Sequence, residues 1–141
     1  MDVATALLCD AATVREGLLH VLGGGITRLW RPALPAELAT KLAVLVDLAP
    51  EDLETPHELE VLILCGELEI GRVMAGFQAH RPPRAEPGEH QLVPVVLPLG
   101  VAATPQYGKH RIMVRLDNGA AERGLEFWVL HPEEQGLPPL D

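Results

Sequence analysis

This sequence reads as an antiparallel β-sandwich, and three observations lead there. Apolar and polar residues alternate in several short runs, most cleanly over 107–116, where Ile112, Val114 and Leu116 take one face and Lys109, Arg111 and Arg115 the other. Turn signals built from Gly, Pro, Asn and Asp recur every ~8 to 14 residues. No stretch keeps an unambiguous 3.6-residue apolar period over the length of a helix. Together they predict seven to eight short strands in two facing sheets, immunoglobulin-like or C2-like, with a barrel as second choice. The domain is expected to span residues 1–131, with a flexible tail at 132–141 rich in proline and acid.

Residues 3–9 are apolar apart from Thr5 and stop at Asp10, which suits a strand buried on both faces or a short piece of buried helix, and the length favours the strand. Residues 10–17 (DAATVREG) carry three charges and close on glycine, the composition of a turn. A second apolar run, Leu18-Leu19-His20-Val21-Leu22, is interrupted by Gly23-Gly24-Gly25 before Ile26-Thr27-Arg28-Leu29-Trp30 resumes it. Glycine inside a strand pattern marks a bulge or a close backbone approach, so a strand that bends or changes sheet is expected here. A phosphate-cradling loop would need a G-x-G-x-x-G or G-x-x-x-x-G-K-[ST] spacing, and neither is present.

Pro32 and Pro35 make residues 31–36 a connection. Residues 37–48 fit both a helical stripe and an alternating one; Val44 and Val46, among so many strands, favour a strand. Residues 47–69 hold eight acids and no lysine or arginine. The proline-bracketed loop at 49–57 lacks the order of carboxylates a dedicated calcium loop needs, so it reads as a solvated acidic surface. Leu59, Val61, Ile63 and Cys65 then share one strand face, Gly66-Glu67 suits a type II′ hairpin, and residues 68–79 form the return strand. Residues 80–90 (HRPPRAEPGEH) are the longest irregular segment and offer Arg81 and Arg84 to solvent. Its two histidines have no evident third ligand, so no metal site is expected.

Pro94 and Pro98 confine residues 91–99 to an edge or a bulged strand. Asp117-Asn118-Gly119 predicts a type I′ hairpin. Residues 125–130 close the fold with Leu125, Phe127 and Val129 inward and Glu126 and Trp128 outward.

Apolar residues at 48%, against 22% charged, place the chain among globular proteins. A net charge of −9 argues against a nucleic-acid partner, which requires a basic face. No run of 18 apolar residues exists and Asp2 stands where a signal peptide would be basic, so a cytoplasmic, membrane-free location is expected. Cys9 and Cys65 each end an apolar run and read as free thiols.

No nucleophile–base motif, paired-carboxylate signal or cofactor fingerprint appears, so no cofactor is expected. His20 and His110 lack an identifiable orienting partner for general-base chemistry. The function read from this pattern is a non-enzymatic binding or assembly module presenting loops or an edge strand to a protein partner or to another copy of itself. Its candidate contact residues are Trp30, Trp128, Arg81 and Arg84. The alternative is a small anionic ligand, or an enzyme, using the Lys109/Arg111/Arg115 face; the competing role for that row is ion pairing with acids such as those at 58–60.

One stretch carries a resemblance. Leu8, Asp10, Ala11, Ala12, Gly17, Leu19, Val21, Leu22, Gly23, Gly24, Gly25 and Trp30 match an L-x-D-A-A, G-x-L-x-V-L-G-G-G, tryptophan pattern. The chain thereby resembles a family of small uncharacterised bacterial proteins, with Ile26 where similar sequences place an aromatic. The resemblance implies a single-domain bacterial protein and assigns no catalytic residue.

Overall fold

The computed structural model describes residues 1–100 and 102–135. Its strands are β1 (Asp2–Arg15), β2 (Leu18–Gly24), β3 (Arg28–Trp30), β4 (Ala36–Glu37), β5 (Lys41–Leu48), β6 (His57–Cys65), β7 (Leu68–Phe77), β8 (Gln91–Pro98), β9 (Ala103–Thr104), β10 (Gly108–Leu116) and β11 (Ala121–Leu130). Eight are long and three have only two or three residues, with no α-helix among the described residues. Residues 37–48, ambiguous by periodicity, hold strand β5. Its neighbours on both sides supply the backbone partners that decide between the two periods.

The strands form a four-stranded sheet, β2-β1-β5-β8, a five-stranded sheet, β3-β11-β10-β6-β7, and the small pair β4-β9. The two large sheets face each other across one core. Leu42, Val44, Val46, Leu48, Val95 and Leu97 come from the first; Leu59, Val61, Ile63, Ile112, Val114, Leu116, Phe127 and Val129 come from the second. Each set falls at alternate positions of its strand, as period-two burial requires. Pro94 and Pro98 lie on β8, at an edge of the first sheet.

Three local expectations change. Residues 10–17 are not a connection: β1 continues to Arg15, and the turn is only Glu16-Gly17, both at positive φ (53° and 74°), as a type I′ hairpin demands. The far halves of β1 and β2 form a two-stranded arm, whose polar residues resemble a loop because solvent reaches much of it. At the other end, Leu116 pairs with Ala121, so residues 117–120 form a four-residue loop in place of a two-residue Asn-Gly turn. Asp117, Asn118 and Gly119 all have positive φ there. Finally, the sheets are not wholly antiparallel, because β3 runs parallel to β11. Of the tail, Pro132–Gln135 form one 3-10 turn, and residues 136–141 lie outside the described residues.

The triple glycine explains the parallel strand. Gly25 and Ile26 both donate their N–H to the Leu8 carbonyl at 2.9 Å, which turns the chain out of the first sheet. It then crosses to the second, where Trp128 N–H donates to the Thr27 carbonyl at 2.8 Å. Gly23 has φ +62°, and a Cβ there would strike the Asp10 carboxylate across the hairpin. Gly23→Val is therefore expected to cost about 1–3 kcal/mol in urea unfolding, with Gly17→Ala, which meets nothing nearby, costing less.

The arm does not simply project. Ala12, Leu19 and Val21 pack with Cys9, Ala43 and Val96 in a second, smaller apolar cluster on the first sheet's other side. The sheet thus curls, and a strand from its edge partly roofs its own outer face.

Candidate functional site

Buried nucleophile–base geometry comes first, because it would signal chemistry. Thr104 Oγ1 lies 2.6 Å from His110 Nε2, and His110 Nδ1 lies 2.9 Å from the Gly108 carbonyl. That is a hydroxyl, an imidazole and an orienting acceptor in line. Both residues are 0% exposed, and His110 packs against Phe127 with ring centroids 5.1 Å apart. Burial pushes the His110 pKa down, keeping the ring neutral, with Nδ1–H donating to Gly108. No substrate reaches this pair, so it supports the core. Among the described residues no group of three His, Cys, Asp or Glu side chains is placed to hold a metal.

The cationic row lies on the outer face of the second sheet, with acids on both sides. Lys109 Nζ is 3.1 Å from Glu126, and Arg115 lies 3.3 Å from Glu122 and 3.8 Å from Glu60. Glu60 also receives Arg72 at 3.1 Å. Arg111 differs: its guanidinium reaches the Met113 sulfur at 3.4 Å and has no carboxylate partner among the described residues. The pairing of residues 58–60 with this row is thus realised through Glu60 and Arg115.

Trp30 and Trp128 lie on β3 and β11 in adjacent strands, Trp128 opposite Arg28 and Trp30 opposite Leu130. Trp128 is exposed and Trp30 half-buried. Arg31 fixes this corner by donating to the carbonyls of Trp30, Glu37 and Leu38, while Tyr107 Oη donates to the Arg31 carbonyl. Arg81 and Arg84 are exposed on the connection that follows β7, at the opposite edge of the same sheet, where the Glu54 carboxylate accepts from Arg81 N–H at 2.7 Å. The structure therefore does not gather the two tryptophans and the two arginines on one surface.

Sequence reasoning missed a buried polar cluster at the end of the sandwich. His57 Nδ1 lies 2.6 Å from Asp117 Oδ2, and its Nε2 lies 2.6 Å from the Asp52 carbonyl. Both partners accept, so only the doubly protonated imidazolium can donate to both. Burial lowers the His57 pKa, but the Asp117 hydrogen bond and the Asp52 carbonyl outweigh it and the net shift is upward. For Asp117, burial acts to raise the pKa, and the hydrogen bonds from His57 and the Glu58 N–H overcome it and lower it. No local signal reveals this cluster, because His57 and Asp117 are 60 residues apart.

Edges are the other feature that only topology discloses. Of the four outer strands of the two large sheets, β8 carries Pro94 and Pro98, and β3 has three residues. Strand β7 bears Glu69 and Arg72, meets β6 through a register shift, and has Ala102 packed against Gly71. These are the usual protections against strand addition. Strand β2, LLHVLGG, has none: no charge, no proline, and Leu18 and Leu22 are 62% and 72% exposed. Among the described residues its outer backbone groups have no partner strand. An open groove of about 460 Å³ runs along this arm, lined by Ala12, Thr13, Leu19, His20 and Leu22 among others.

A smaller apolar cavity of about 190 Å³ opens where the chain leaves β2, between Leu8, Ile26, Leu125 and Phe127. It is below the ~300 Å³ at which small-molecule sites begin.

Fold and site together define a small all-β sandwich that offers an open strand edge. The chain belongs to a family of unknown function (DUF6941), which matches residues 4–127. No curated protein and no solved structure matches it. No helix among the described residues is long and apolar enough to cross a membrane.

Proposed function

We propose that the chain is a non-enzymatic binding or assembly module of the bacterial cytoplasm that presents an edge strand to a protein, as immunoglobulin-like sandwiches do. The observation that carries this reading is β2: an uncharged, proline-free edge with two large leucines in solvent, whereas the other long outer strands carry charge in β7 and proline in β8. Main-chain pairing would supply affinity and the alternate side chains Leu18, His20 and Leu22 would supply specificity.

Capture from native lysate tests it. Leu18→Lys/Leu22→Lys is expected to fold like the parent, because both residues are exposed, and to lose the protein the parent recovers, whether another protein or tagged copies of the same chain. Equal recovery by parent and variant would overturn the reading.

A second reading, a small anionic ligand on the second sheet, is favoured by Arg111, the member of its row without a carboxylate. A thermal-shift screen with inorganic phosphate and dicarboxylates, compared with Arg111→Gln, separates the two readings.

A further inference from the structure

From the edge geometry we infer that the strand added to β2 is β2 of a second copy, antiparallel about a two-fold axis at His20. This rests on the reading of β2 as a docking edge and names its occupant.

Two observations select a second copy. First, the exposed row of β2 is its own complement. Leu18, His20 and Leu22 share one face, so an antiparallel partner centred on His20 sets Leu18 against Leu22 of the other copy, and Leu22 against Leu18. No other centre on the strand opposes the two exposed leucines to each other. In a chain of net charge −9, this strand carries no carboxylate to face another carboxylate across the axis.

Second, among the described residues β2 is the one long outer strand that carries neither charge nor proline; β7 is also unpaired on its outer side but bears Glu69 and Arg72, and β8 bears Pro94 and Pro98. Head-to-tail pairing needs two different free edges and propagates into fibres, whereas one free edge permits only the isologous, closed pair. With prolines in β8, three residues in β3 and charges in β7, the best-matched described edge for β2 is β2 itself. The result is a continuous eight-stranded sheet, β8-β5-β1-β2 followed by its two-fold mate, with the two arms side by side. The area gained by one strand pair is modest, so the dimer is expected to be weak and concentration-dependent, with Kd on the order of micromolar.

Two measurements on the full chain test it. Light scattering after size exclusion should show a mass rising toward twice 15.3 kDa as concentration increases, and His20→Lys, which opposes two cations at the axis, should weaken dimerisation at least about tenfold. Because residue 20 faces itself across the axis, His20→Cys in a Cys65→Ser background should form an interchain disulfide under mild oxidation. Thr13→Cys in the same background, which faces β2 of its own chain, should not. Circular dichroism of each variant checks that the fold is retained.

A monomer at every concentration, with no His20→Cys cross-link, overturns the second copy as occupant. If Leu18→Lys/Leu22→Lys then still abolishes recovery of another protein, the docking edge stands and only its occupant is wrong; if recovery is unchanged, both fail. A dimer that forms equally well with His20→Lys also overturns the inference, because it would lie elsewhere.

Discussion

Phe127→Ala is expected to lower the stability of this protein by about 3–5 kcal/mol. Phe127 is 1% exposed and packs against His110, whose own ring is sealed from solvent. Its removal leaves a void between the sheets next to the apolar cavity bounded by Leu8, Ile26 and Leu125, so that cavity would enlarge instead of collapsing. Chemical denaturation should show the lower midpoint with an unchanged m-value if the sheets still close. A loss below about 1 kcal/mol would mean that the cavity relaxes and that the core is less tightly packed than the contacts imply.

His57→Ala is the second large loss, about 2–4 kcal/mol, because it strips donors from Asp117 and from the Asp52 carbonyl and removes a ring stacked on Phe77. Its signature is the pH dependence. The His57 pKa is raised on folding, so its contribution is complete below the unfolded value, about 6.5, and disappears as pH rises through the higher folded value. The Asp117 pKa is lowered, so its contribution is complete above about 3.9 and disappears as pH falls through the lower folded value. Parent stability minus that of His57→Ala should therefore be greatest between about pH 4 and 6.5 and shrink on both sides. Urea unfolding across pH 3–9 measures it; a flat difference would show that His57 acts only through packing.

The strands were legible where one face is wet and one is dry. Ile112, Val114 and Leu116 against Lys109, Arg111 and Arg115 state the inward face of β10 without ambiguity, and the position of Phe127 and Trp128 on opposite sides of β11 follows from the same parity. Pro94 and Pro98 restricted β8 to an edge or a bulge because proline cannot donate to a neighbouring strand, and the structure takes the edge. The sheet change at Gly23-Gly24-Gly25 was also readable, though its destination, a parallel seat beside β11 about 100 residues later, was not.

What failed to show was whatever depends on a distant partner. The arm of β1 and β2 looks like a loop locally because the apolar side chains of Ala12, Leu19 and Val21 find cover only on Ala43 and Val96. The Asn-Gly signal predicts the tightest hairpin, yet Asp117 is drawn back to His57 and to the Glu58 N–H, and the loop widens to suit. The candidate site itself was invisible for the same reason. An edge is defined by which neighbours are missing, and Leu18 and Leu22 in sequence are indistinguishable from core.

The seating of β3 beside β11 has a consequence for synthesis. The second sheet cannot assemble while the ribosome is still making β10 and β11, since those two strands join β3 to β6 and carry Ile112, Val114, Leu116, Phe127 and Val129 into the interior. A nascent chain that has emerged only as far as β8 holds the whole first wall of the sandwich but only the β6–β7 hairpin and the unseated β3 of the second, so closure waits on β10 and β11 to leave the exit tunnel.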